Sequence, residues 1–75
     1  MYEIKIEEKG KISMATNKYY SDILGITQEY VGKILNGKLP AKGTIAKGII
    51  SIAYNIPIDD YNMETLLNKH FEKIN

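Results

Sequence analysis

The stretch Thr16–Lys38, TNKYYSDILGITQEYVGKILNGK, decides the reading of this chain. Thr16 can cap a first helix whose apolar side is Tyr20, Ile23 and Leu24, and Gly25 supplies the left-handed backbone that ends it. Thr27 can cap a second helix that closes at Asn36-Gly37. At about 100° per residue, Val31, Ile34 and Leu35 share one sector of that second helix, while Glu29, Lys33 and Asn36 lie opposite. One face is built to dock on the domain and the other is left for recognition.

At these residues the chain resembles the helix-turn-helix domains of lambdoid phage repressors and Cro proteins. The matching features are Asn17 opening the first helix, Tyr20-Ser21 where a Leu-Ala-like pair is usual, and Gly25-Ile26-Thr27. An inward Val31 and the run Ile34-Leu35-Asn36-Gly37-Lys38 complete them. The resemblance is close over these residues, extends loosely to Tyr61, and is poorest over Lys11–Ala15. It implies a mainly α fold, a lambda-repressor-like bundle of four to five helices, with residues 1–75 as one domain. It also implies that the helix 27–36 enters the major groove of double-stranded DNA with its N-terminal residues at base edges. Thr27, Gln28, Glu29, Tyr30 and Lys33 would then read bases. Gln28 suits the N6 and N7 of adenine and Glu29 the N4 amine of cytosine. The resemblance assigns phosphate contacts to Asn17, Lys18, Asn36, Lys38 and Lys42. A plainer account stands beside this one: Glu29 and Lys33, at i and i+4, form a surface ion pair, and Tyr30 borders the buried sector. Gly32 is a poor helix former on the exposed flank; one functional account is close approach of the helix to the DNA backbone or a partner.

Charge supports the same segment. The formal net charge is only +1, yet residues 30–58 hold Lys33, Lys38, Lys42 and Lys47 and no acid. Residues 59–75 are acidic on balance, with Asp59, Asp60, Glu64 and Glu72 against Lys69 and Lys73. A local basic field is what meets phosphate, whatever the total. Every basic residue is lysine, so the guanidinium fork that most often reads guanine is missing. With no cysteine, disulfides and thiolate metal sites are excluded. No apolar run approaches membrane length and no secretory leader is evident, so the expectation is a cytoplasmic protein without membrane contact.

Outward from the central stretch, residues 1–9 alternate Tyr2, Ile4 and Ile6 with Glu3, Lys5 and Glu7, the period of a half-buried strand. A lone strand needs a partner, either its copy in a second subunit or a short segment near the C-terminus. The alternatives are a frayed end or a helix starting near Glu7. Lys11–Ala15 turns Ile12 and Met14 or Ala15 inward. Leu39 is expected in the core, and Lys38-Leu39-Pro40 connects to a helix over Ala41–Tyr54. Its inward line is read as Ile45, Ile49, Ile52 and Ala53, with Ile50 off that line, its cap as Gly43 or Thr44, and Ile56 and Ile58 as buried after it; Ile49, Ile50 and Ile52, with Ile56, are expected at the centre of the core. About one residue more than the family has separates Gly37 from Ile56. Residues 62–75 are read as an amphipathic helix capped by Asn62, with Met63, Leu66, Leu67, His70, Phe71 and Ile74 as its stripe. That stripe covers the core or, through Leu66, Leu67, Phe71 and Ile74, forms a homodimer interface. His70, the only histidine, has no plausible co-ligands, so neither metal nor cofactor is expected.

Two functions fit. One is a sequence-specific DNA-binding repressor of phage or mobile-element type, working as a homodimer. The other keeps the fold but grips a protein partner, as an antitoxin or anti-CRISPR-type inhibitor would; the modest charge, the absence of arginine and the aromatic first helix favour it. No carboxylate pair, nucleophile–base set or phosphate loop suggests an enzyme.

Overall fold

The computed structural model describes residues 1–12 and 16–74. The chain forms a short strand β1 (Tyr2–Ile4), a 3-10 turn (Ile6–Glu8), four helices and a second strand. The helices are α1 (Asn17–Leu24), α2 (Gln28–Leu35), α3 (Gly43–Tyr54) and α4 (Met63–His70); β2 is Phe71–Lys73. The inward positions of Met14 and Ala15 lie outside the described residues.

Local chemistry ends the helices where expected. The Thr16 hydroxyl accepts from Tyr19 N–H at 3.2 Å and the Thr27 hydroxyl from Tyr30 N–H at 3.0 Å. Each satisfies one of the orphan donors of a helix start. Gly25 closes α1 at φ 69°. Gly37, at φ 75°, closes α2 while Lys38 N–H donates to the Lys33 carbonyl at 2.8 Å.

One termination device appears twice. In Ser21–Ile26 and again in Ser51–Ile56, a left-handed residue follows the helix and the serine hydroxyl donates to the isoleucine carbonyl five positions on, at 2.5 Å each. The left-handed residue is Gly25 in the first and Asn55, at φ 54°, in the second. The pattern Ser-x-x-x-Gly/Asn-Ile is thus a local stop signal that fixes the exit direction of α1 and α3 alike.

The terminal segments depart from the sequence reading. The helix expected over 62–75 stops at His70, because the chain then runs extended as β2 and pairs antiparallel with β1, Tyr2 opposite Lys73 and Ile4 opposite Phe71. The strand's partner is therefore the C-terminal segment of the same protomer. On its other side Tyr2 exchanges both backbone bonds with Ala41, each 2.7 Å. The strand is shorter than the alternation suggested: at Lys5 the chain turns into the 3-10 segment, which leaves Ile6 81% exposed. Asn62 does not cap α4 through its side chain; instead the Asp60 carboxylate accepts from Asn62 N–H at 2.8 Å.

The core gathers Ile4, Tyr20, Val31, Ile34, Leu67 and Phe71 around Ile49 and Ile50. In α3 the buried line is Ala46, Ile49, Ile50 and Ala53, the i, i+3, i+4, i+7 stripe, so Ile50 is central while Ile45 and Ile52 flank it. Lys42 stands at the N-cap position and Gly43 begins the helix. Gly48 has a packing reason: any β-carbon there would overlap the Leu24 side chain, so its bareness lets α1 lie close on α3. Leu39 and Ile58 remain largely exposed and do not plug the core, and Ile56 is only half-buried. Tyr20 is a core aromatic as expected, and its hydroxyl is buried with no hydrogen-bond partner among the described residues. Among the described residues, no helix is long and apolar enough to cross a membrane.

Candidate functional site

The surface built by α2 and the turns around it holds the residues singled out in the sequence. Val31 and Ile34 are fully buried and Leu35 nearly so, and this seats α2 on the core against α1 and β1. The opposite side of the helix therefore faces outward. Gln28 is exposed, and the side chains of Glu29 and Lys33 are 78% and 46% accessible. Thr27 is exposed, though its hydroxyl is already engaged as the cap. Tyr30 is half-buried and packs against the core, so its ring is committed in part to structure.

Glu29 and Lys33 do form the i, i+4 ion pair, at 3.1 Å. In so exposed a place the pair contributes only about 0.3–0.5 kcal/mol, so either partner can exchange it for a ligand at little cost. Lys18 is similarly paired with Asp22, at 2.9 Å on an open surface. Lys38 and Lys42 are exposed and have no ion-pair partner among the described residues. Asn36, also exposed, sits between them and α2 at the helix end.

Asn17, at the first position of α1, is brought to the middle of α2. Its amide nitrogen lies 3.4 Å from where a β-carbon on Gly32 would stand, an ordinary contact distance, so the two helices meet closely at this point.

A residue the sequence reading did not select, Lys9, also belongs here. Its side chain crosses Gly37, with Nζ 3.1 Å from the place a β-carbon would occupy. A third lysine is thereby set beside Lys38, at the end of α2. Only its charge marked it in the sequence; the 28-residue separation hid the contact.

The four residues considered for a dimer interface do not share one surface. Leu67 and Phe71 are fully buried within their own protomer, because β2 folds back over the core, so neither can meet a partner. Leu66 is half-buried and Ile74 exposed.

A second polar cluster lies away from α2. His70, 6% exposed, contacts Glu8 Oε1 through Nδ1 at 2.7 Å and the Tyr54 hydroxyl through Nε2 at 2.6 Å. In the neutral ring Nδ1–H donates to the carboxylate and Nε2 accepts from the phenol. This chain ties the 3-10 turn to α4 and α3. Comparison of the chain with known families, characterised proteins and solved structures gives no match.

Proposed function

We propose that the protein is a sequence-specific DNA-binding repressor of helix-turn-helix type, reading the major groove with α2. The observation that carries this reading is the division of α2 into a seated apolar side, Val31, Ile34 and Leu35, and an open polar side, Gln28, Glu29 and Lys33. Gln28, Glu29 and Lys33 would set sequence; Asn17, Lys38 and Lys42, joined by Lys9, would hold phosphate and set position. A homodimer matched to a two-fold operator would use surface other than Leu67 and Phe71.

The experiment is selection of bound sites from random duplexes at two salt concentrations. Three lysine–phosphate contacts give a slope of about −2.7 in log K against log salt, an affinity loss of about 40-fold between 50 and 200 mM. An enriched motif with a slope of that order supports the reading; a pool that stays random, or retention indifferent to salt, overturns it.

The alternative, a protein-gripping module on the same fold, has one specific observation in its favour. Tyr19 and Ile23, one turn apart on α1, are 52% and 58% exposed, an apolar pair with no role in phosphate contact.

A further inference from the structure

We infer that the outer face of α1, formed by Lys18, Tyr19, Asp22 and Ile23, is an interface for a second copy of this chain, docked antiparallel across a two-fold axis. Tyr19 and Ile23 stand one turn apart and are both more than half exposed. Lys18 and Asp22, also one turn apart, have side chains 69% and 63% accessible, and the lysine donates to the carboxylate at 2.9 Å. At about 100° per residue these are two adjacent rows, one apolar and one charged. They lie on the side of α1 away from the buried Tyr20 and from Leu24, which packs on α3 at Gly48.

The order of residues within the rows selects the occupant. A two-fold interface brings the same patch of both copies together, so that residue i meets j and j meets i. With α1 antiparallel to its copy, Tyr19 falls opposite the partner's Ile23, and Ile23 opposite the partner's Tyr19. The same rotation keeps the charged rows on one side of the contact and reverses their order. Lys18 then falls opposite the partner's Asp22, and Asp22 opposite the partner's Lys18. Apolar meets apolar and each charge meets its opposite, with four side chains from each copy. A partner of one predominant charge would be repelled by half of the charged row, whereas a second copy satisfies both halves. The outer edge of β2 is the competing surface, but that strand is three residues long and carries the exposed Glu72 and Lys73, a length and charge that discourage edge-to-edge pairing. A standard interface uses about 20–30 residues a side, so pairing centred on these four is weak, with a Kd on the order of 1 mM. The interface deepens the homodimer of the DNA-binding reading, yet it needs neither DNA nor any contact of α2.

The test follows the labelled full chain by NMR and sedimentation equilibrium, without DNA, from about 0.05 to 3 mM so as to span that Kd. Amide shifts at Lys18, Tyr19, Asp22 and Ile23 should move along one monomer–dimer curve while β2 stays fixed, and the average mass should rise towards that of two chains. Lys18→Glu and Asp22→Lys, both at open positions outside the core, should each self-associate about tenfold more weakly, because like charges then face each other. Mixed in equal amounts, the two variants should regain the wild-type association to within about twofold, since each supplies the sign the other lacks. Ile23→Ser should weaken association by about tenfold or more. A chain that stays monomeric to the top of the range overturns the inference and leaves this face to another kind of partner. Shifts centred elsewhere overturn it too, as does a mixture that associates no more tightly than its separate variants. Because DNA is absent throughout, each of these failures leaves the reading of a duplex by α2 standing.

Discussion

Tyr20→Phe should make the protein more stable. Tyr20 is fully buried among α1's core contacts, and its hydroxyl has no hydrogen-bond partner among the described residues. A buried hydroxyl without a partner costs about 1–3 kcal/mol, and phenylalanine removes it without changing the ring that fills the space. A gain of about 1–2 kcal/mol follows, which in a domain of 60–100 residues raises Tm by about 4–8 °C for each kcal/mol. Urea denaturation followed by circular dichroism would show the midpoint rising with an unchanged slope. There is also a pH signature. Burial pushes the Tyr20 phenol above its ordinary value of 10.0, because desolvation disfavours the phenolate. The unfolded chain then loses this proton first as pH rises. The stability linked to the neutral phenol is thus whole below about pH 10 and is lost as pH climbs through the raised folded value. The other five tyrosines are common to both proteins, so the advantage of Tyr20→Phe should widen above about pH 10. A variant less stable than the wild type by more than about 1 kcal/mol would refute the reasoning, since it would mean that the hydroxyl holds a partner.

Three further outcomes follow from the same contacts. Glu8→Ala should cost about 1–3 kcal/mol by leaving the buried Nδ1–H of His70 without its acceptor, and Glu8→Gln, which keeps an acceptor oxygen, should cost less; equal losses in thermal melts would contradict this. Leu67→Ala should cost about 2–5 kcal/mol, and the loss should not vary with protein concentration, because Leu67 lies inside one protomer. A concentration-dependent loss would return it to an interface between copies. Lys9→Gln should leave sequence preference intact and flatten the salt dependence of DNA binding by about 0.9 in slope, a gel-shift measurement; an unchanged slope would leave Lys9 as a counter-charge to the end of α2 and nothing more.

The caps of α1 and α2 were legible because capping is local: Thr16, Gly25, Thr27 and Gly37 act within a few residues of themselves. The seated side of α2 was legible for the same reason, from three apolar positions at helical spacing. The C-terminus was harder. Leu67, Phe71 and Ile74 fit a helical stripe, and only the demand of β1 for backbone partners turns Phe71–Lys73 into a strand. Ile45 and Ile52 likewise fitted a stripe with Ile49 and Ala53, but burial runs from Ile49 and Ala53 through Ala46 and Ile50, and leaves Ile45 and Ile52 at its flanks. Contacts made across the whole chain left no local trace. Glu8 with His70 and Lys9 with Gly37 join residues whose spacing carries no signal, and they emerge only once the N-terminal segment is laid against the helices.

The open face of α2 is tested most directly by following backbone amide shifts of the labelled chain as a selected duplex is added. The account predicts that the largest changes run from Thr27 to Lys33 and recur at Lys38 and Lys42. Changes centred instead on Tyr19 and Ile23, with α2 undisturbed, would contradict it.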